Sequence, residues 1–134
     1  MDTSHRQAWV GAAVLIGVVY SLIGIVFALP ADHVSAWRLA AWIVSGAAYA
    51  AHIGFEHLKL GNSPRLIALH VAVGVAIGAF GLAVAATAHE LLTASHYRLS
   101  LLLAFVLWPI ITALPAFLVA LAAGALLARF SRSA

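Results

Sequence analysis

Four long apolar segments, joined by short polar connections, account for nearly the whole of this 134-residue chain. They lie at about residues 8–30, 36–58, 66–88 and 99–128. Each reaches or exceeds the roughly 20 residues with which an α-helix crosses about 30 Å of hydrocarbon. With 65% hydrophobic and only 8% charged residues, the chain has too little polar surface for a soluble domain of its size. The sequence therefore predicts one all-α integral membrane domain over residues 1–134.

The connections between the segments are about ten residues long or shorter, and this length predicts how neighbouring helices are arranged. Such a loop cannot hold a separate domain, and it places consecutive helices side by side in opposite directions. We therefore expect an antiparallel four-helix bundle. The first apolar segment is longer than the core of a secretory signal, and residues 27–31 lack a small-residue cleavage pattern, so we expect it to be retained.

Basic residues are unequally divided between the two ends of the predicted spans. One end carries Arg6, Lys59, Arg65, Arg129 and Arg132, and the other carries Arg38 and Arg98. Because positive charge is enriched on the cytoplasmic side, we expect both termini in the cytoplasm, in a bacterial inner membrane where the protein contacts the lipid bilayer. These charges are dispersed over helix ends, so the pI of about 10.0 does not indicate a nucleic-acid partner.

Aromatic residues lie near the predicted ends of the spans: Trp9, Trp37, Tyr97 and Phe130. Amphipathic rings at this position anchor helices in the headgroup region of a bilayer. We expect this anchoring role to account for all four residues.

Two spans carry small residues at intervals that place them on one helical face. In the first span these are Ala13, Gly17, Ser21 and Gly24, and in the third they are Gly74, Gly78, Gly81 and Ala85, with His70 four residues before Gly74 on the same face. Small side chains let two helix backbones approach closely. We expect each strip to contact a neighbouring helix, either within the chain or in a second copy, which leaves a homo-oligomer as one alternative.

The fourth span is longer than a bilayer requires and contains Pro109 and Pro115. Each proline removes a backbone N–H and crowds the preceding turn, so we predict a kinked helix. Thr112 lies between the prolines and can donate a hydrogen bond to a carbonyl that they leave free. Broken helices also line transport pathways, but the structural explanation is sufficient for this span.

Polar side chains form one stripe along the second span. They recur every three or four residues and therefore share a helical face: Trp42, Ser45, Tyr49, His52, Glu56 and Lys59. Polar groups are costly in hydrocarbon and turn toward a bundle interior, a cavity or a partner. We therefore expect this face to carry any function that the chain has.

A turn centred near residues 61–64 brings the third span beside this stripe. His52 and Glu56 precede the turn and His70 follows it by similar distances, so a rise of about 1.5 Å per residue places all three at similar depth. Imidazole nitrogens and a carboxylate can relay protons or bind a cation. We predict a proton or cation site, which the protein uses for binding or translocation, at Ser45, Tyr49, His52, Glu56 and His70.

The same residues have the donor atoms for a cofactor. His52, Glu56 and His70 could hold a divalent metal, and paired histidines could hold haem b in an electron-transfer bundle. The order His-x-x-x-Glu-His differs from the His-Glu-x-x-His of zinc peptidases, and no span contains a nucleophile–base pair or a carboxylate dyad. An enzyme is therefore the least supported class. Since the chain has no cysteine, it has no thiolate ligands or disulfides.

A structural explanation competes with these functional ones. In it, Glu56 pairs with Lys59 or Arg65 near the membrane surface. His52 then bonds Tyr49 or a backbone carbonyl. The protein would be a non-catalytic membrane subunit or scaffold of a larger complex, oriented by its buried polar groups.

A second polar group is predicted at the opposite end of the bundle. It comprises Asp32 and His33 in the first outer connection, and His89, Glu90 and His96 in the second. We expect these side chains to lie in water, unless the two loops touch and bring them together.

Overall fold

A computed structural model of the protein describes residues 3–30, 32–93 and 99–133. In these residues the chain forms four α-helices: α1 (Thr3–Ala28), α2 (Val34–Leu58), α3 (Pro64–Thr93) and α4 (Leu99–Ser133). The all-helical class predicted from the sequence is confirmed. The helices extend past several predicted span ends, because a helix does not have to stop where the hydrocarbon stops.

Three helical stretches in the described part of the chain are long and apolar enough to cross a membrane. They are Trp9–Ala28 in α1, Pro64–Thr93 in α3 and Leu103–Ser131 in α4. α2, which the sequence predicts as a further span, does not qualify, because its polar and charged residues, among them Tyr49, His52 and Glu56, lower its hydropathy. Three of the four helices are thus compatible with a membrane protein.

α1 and α3 meet through their small-residue strips. A Cβ added to Gly17 would lie 2.5 Å from Ile77 Cγ2, and one added to Gly78 would lie 2.6 Å from Tyr20 Cβ. Ser21 Oγ donates to the carbonyl oxygens of Gly17 and Gly78, both at 3.1 Å. The predicted contact of each strip with a neighbouring helix is confirmed, and it lies within one chain.

The residues that pair at the helix interfaces give the relative directions of the helices. α1 and α3 are parallel, because the residue numbers of their contacting positions increase in the same direction, as in the pairs Ala13 with Gly74 and Gly24 with Leu82. α3 and α4 are antiparallel, because the residue numbers of their contacting positions change in opposite directions, as in the pairs Pro64 with Gly124 and Phe80 with Phe105. α3 therefore lies beside two helices that point in different directions.

Buried apolar residues form a cluster where α2, α3 and α4 meet. They are Ile53, Ile67, Ala68, Val71 and Ala120. Close packing of these side chains is sensitive to volume changes of a single methylene. This core fixes the polar face of α2 against α3.

α4 continues through both prolines as one helix. Thr112 Oγ1 donates to the carbonyl oxygens of Trp108, at 2.8 Å, and Pro109, at 3.2 Å. Pro109 and Pro115 remove the donors for the carbonyls four residues before each of them, and Thr112 reaches neither. The expectation that Thr112 satisfies a freed carbonyl is wrong, because a helical threonine reaches only the carbonyls three and four residues before it.

Candidate functional site

The polar stripe of α2 is buried only in its C-terminal half. Trp42 is 80% exposed and Lys59 is exposed, whereas Tyr49 is half-buried and His52 and Glu56 are buried. The C-terminal half of α2 joins the apolar core, and the N-terminal part at Trp42 lies beyond it. Only part of the stripe is therefore available for a shielded site.

Glu56, with 0% exposure, lies at the centre of a buried polar cluster. Its Oε2 accepts hydrogen bonds from His70 Nδ1 at 2.9 Å and from Asn62 Nδ2 at 2.5 Å. Its Oε1 accepts none from any described residue and faces His52 Nε2 at 3.7 Å, beyond hydrogen-bond distance. The structure thus brings His52, Glu56 and His70 together, with unequal surroundings for the two carboxylate oxygens.

The local sequence explains how this cluster is built. His52 and Glu56 are four residues apart, so they lie on one face of α2. The chain then reverses at Gly61, whose φ of 61° is a left-handed conformation that glycine adopts without strain. The reversal lets the backbone N–H of Asn62 donate to the Glu56 carbonyl at 3.2 Å while its side chain reaches the carboxylate. The α2–α3 turn therefore folds back onto the buried acid.

The two imidazoles have different neighbours. The His70 ring stacks on the Trp9 indole, with centroids 4.3 Å apart and an interplanar angle of 3°. The His52 ring lies against Gly74, where an added Cβ would be 3.3 Å from His52 Cε1. The sequence assigned Trp9 only to headgroup anchoring. In the fold it covers one side of the site, because the packing of α1 against α3 brings its ring onto His70.

Four buried polar atoms in this region have no hydrogen-bond partner among the described residues. They are Trp9 Nε1, His52 Nδ1, His52 Nε2 and Glu56 Oε1. An unsatisfied buried donor or acceptor costs about 1–3 kcal/mol, and native proteins contain few of them. Hydrogen-bonding capacity concentrated at one place marks this cluster as the candidate functional site.

Comparison with known proteins gives no family for this chain. No family model matches it, and neither a curated protein nor a solved structure matches it.

Tyr49 and Ser45, the other residues predicted for the site, lie apart from the carboxylate. Tyr49 Oη donates to the backbone carbonyl of Ala116 and thereby links α2 to α4. Ser45 is half-buried and precedes His52 by about 10 Å along the helix axis, at 1.5 Å per residue. The polar contacts of Glu56 are made by His52, His70 and the α2–α3 turn.

The pairing expected in the structural explanation differs from the one observed. In the part of the chain that the structure describes, the ion pairs of Glu56 are with histidines. Lys59 and Arg65 are exposed on either side of the α2–α3 turn. The turn directs both cations to the surface, and its own amide at Asn62 takes their place at the carboxylate.

The predicted outer polar residues lie at the surface. Asp32 and His33 are exposed in the α1–α2 connection. His89 and Glu90 are also exposed, but they belong to the last turns of α3 and not to a loop, because the helix continues beyond them. His96 lies outside the described residues.

The described residues do not supply a metal site. No group of three His, Asp or Glu side chains within residues 3–30, 32–93 and 99–133 is arranged to hold a metal ion. Haem with two axial histidines takes one nitrogen from each ring, and a histidine that binds iron commonly uses its other nitrogen for a hydrogen bond to a carboxylate. His70 Nδ1 and His52 Nε2 face the two oxygens of Glu56, so the haem alternative stays a prediction.

The sequence predicts Asn62 only as a turn-forming residue, although an amide next to a glycine just after a buried acid can fold back onto it. Gly74 lies four residues after His70 on the same helical face, as its spacing predicts. Its contact with the His52 ring depends on the packing of α2 against α3 and does not follow from spacing.

Proposed function

We propose that this protein is a four-span membrane protein that binds a proton or a small cation at the His52–Glu56–His70 cluster and translocates it. The observation that carries the proposal is a glutamate with no exposed surface between two buried histidines. Ionisable residues inside a membrane are costly and typically mark ion or proton sites. A purely structural role would be met equally well by apolar side chains of similar volume.

The arrangement of the helices supports α2 as the fourth span. α1 and α3 are parallel, so the chain must cross back in the reverse direction between them, and α2 is the helix that does so. Helices joined in this way form an antiparallel bundle. The polar face that lowers the hydropathy of α2 is partly shielded by α3 and α4, which reduces the cost of placing this helix in lipid.

The proposed orientation places both termini in the cytoplasm of a bacterial inner membrane. Lys59, Arg65 and Arg129 share the end of the bundle at which the α2–α3 turn lies. Positive charge is enriched on the cytoplasmic side, so the Glu56 cluster lies in the cytoplasmic third. We also propose that Pro109 and Pro115 kink α4.

A bundle of four helices leaves little room for a pore of its own. A shallow groove of about 270 Å³ lies between α3 and α4, and it is lined by apolar side chains: Ala72, Ile110, Ala113, Leu114 and Phe117. Such apolar walls favour a lipid chain over an ion. We therefore propose that a second copy completes the translocation path.

Glu56→Gln tests the proposal. The glutamine carbonyl can still accept from His70 and Asn62, so the bundle should fold, but the amide cannot exchange a proton or balance a cation. In proteoliposomes containing a pH-sensitive dye, the wild type should move protons and this variant should match empty vesicles. Glu90→Gln, an exposed acid on α3, is the matched control and should retain full flux.

Two results would refute translocation at this cluster: no proton or metal-ion flux by the wild type, or normal flux by Glu56→Gln. Co-purification of the protein with a fixed larger complex, together with absent flux, would instead favour the subunit explanation.

A further inference from the structure

The two oxygens of Glu56 differ in how firmly they are held. Oε2 accepts hydrogen bonds from His70 Nδ1 and Asn62 Nδ2, at 2.9 and 2.5 Å. Oε1 accepts none from the described residues, although the His52 ring nitrogen Nε2 lies only 3.7 Å away. The His52 side chain is itself only 1% exposed, and neither of its nitrogens has a hydrogen-bond partner among the described residues. One edge of the carboxylate is thus fixed, and the other faces an unpaired base.

The fixed edge is reinforced by its surroundings. Trp9 stacks on the His70 ring at 4.3 Å, and this contact restricts rotation of the imidazole that donates to Oε2. Asn62 is tied to Glu56 twice, through its side chain and through its backbone N–H. His70 and Asn62 therefore hold the carboxylate in place and stabilise its negative charge.

Among the described residues, the open edge lacks the ligands that a metal cation requires. Mg²⁺ and Ca²⁺ take about six or more oxygen ligands, and Zn²⁺ takes about four nitrogen, oxygen or sulfur ligands. Oε1 faces one imidazole nitrogen, and Oε2 is already engaged by two donors. A proton, in contrast, needs only one donor and one acceptor.

From this asymmetry we infer that the exchanged species is a proton, and that it passes between Glu56 Oε1 and His52 Nε2, with His70 and Asn62 as positioning residues. The inference deepens the proposed function and depends on it. Among the described residues, the titratable groups in contact with the acid are His52 from α2 and His70 from α3. The α2–α3 turn contributes the Asn62 amide, and the uncharged Trp9 ring of α1 stacks on His70.

The transfer involves one bond at each end. The Oε1–H bond of the protonated acid breaks and an Nε2–H bond forms, which leaves a carboxylate and an imidazolium; the reverse step restores both neutral groups. The 3.7 Å separation must shorten by about 1 Å to reach the length of a charge-assisted hydrogen bond. Rotation of the His52 side chain supplies this movement, because its nitrogens have no hydrogen bonds to described residues that oppose it.

A matched pair of histidine variants tests the inference. His52→Gln places an amide near the Nε2 position, and His70→Asn places an amide near the Nδ1 position, so each keeps a polar group and neither titrates. We expect proton flux in proteoliposomes to fall by at least about 100-fold in His52→Gln, the scale of a lost acid–base group, and by only a few-fold in His70→Asn.

A second readout separates loss of transfer from loss of folding. The infrared band of the protonated carboxyl, assigned by its absence in Glu56→Gln, should persist in His52→Gln and titrate with pH. His52→Asn serves as a second variant if His52→Gln does not fold. Wild-type vesicles given a Na⁺ or Zn²⁺ gradient without a pH gradient should show no ion movement.

The outcomes distinguish the inference from the function on which it rests. Full flux in His52→Gln, or equal losses of flux in both histidine variants, would overturn the assignment of proton transfer to Glu56 Oε1 and His52 Nε2. Glu56 would remain the site. Movement of Na⁺ or Zn²⁺ in the absence of proton flux would overturn the proton and retain the cation site. If the wild type moves no ion, the proposed function fails as well.

Discussion

Replacement of Gly78 by alanine tests whether the close approach of α1 and α3 holds the bundle together. The added Cβ would lie 2.6 Å from Tyr20 Cβ and 3.2 Å from the Gly17 carbonyl oxygen. Carbon atoms in contact are ordinarily about 3.5–4.0 Å apart, so the two helices must separate locally by about 1 Å. Both neighbouring groups belong to, or are attached directly to, the backbone of α1, so neither can rotate away.

The expected loss of stability combines two effects. Overpacking of a well-packed interface costs about 1–3 kcal/mol. Separation of the helices also stretches the hydrogen bond from Ser21 Oγ to the Gly78 carbonyl, now 3.1 Å long, and an interhelical bond of this kind contributes about 0.6 kcal/mol. We therefore expect the free energy of unfolding of Gly78→Ala to be about 2–3 kcal/mol lower than that of a glycine-to-alanine variant without the clash.

Gly46→Ala is the matched control, because Gly46 is an exposed glycine of α2 with nothing within 4 Å of an added Cβ. It shares any gain in helix propensity, about 1 kcal/mol, without the clash. Reversible unfolding in mixed micelles, followed by circular dichroism, measures both variants. The reasoning is refuted if Gly78→Ala is as stable as Gly46→Ala.

Two further substitutions test polar contacts outside the Glu56 cluster. Tyr49→Phe removes the hydrogen bond from α2 to the Ala116 carbonyl and should lower stability by about 0.5–1.5 kcal/mol while proton flux is retained; loss of flux with intact stability would assign Tyr49 to the site. Thr112→Val removes a bond to carbonyls that the helix already satisfies, so unfolding should shift by less than about 1 kcal/mol, and a larger shift would show that Thr112 supports the proline segment.

Much of the fold follows from periodicity along the chain. Runs of apolar residues of bilayer length predict helices, and all four helices are present. The 3.6-residue repeat also identifies which side chains share a face, so it predicts the strips that contain Gly17 and Gly78 and that meet in the structure. The helical rise of about 1.5 Å per residue likewise predicts that Glu56 and His70 lie at similar depth, because depth follows from the number of residues between each side chain and the turn.

Tertiary structure decided which neighbour each face meets. Trp42 and Glu56 belong to one sequence stripe, yet the first is 80% exposed and the second is fully buried. Spacing along a helix does not specify its rotation about its own axis or the end at which a partner covers it. Those depend on the fit of α2 against α3 and α4.

The partners of the buried acid were decided in the same way. Lys59 and Asn62 are both near Glu56 in sequence, but the left-handed turn at Gly61 directs the amide inward and the cation to the surface. Trp9 reaches His70 only because the small-residue strips let α1 and α3 pack closely. One-dimensional spacing thus determined the helices, their polar and small-residue faces and the depth of the acid, whereas three-dimensional packing determined its hydrogen-bond donors and the oxygen left unpaired.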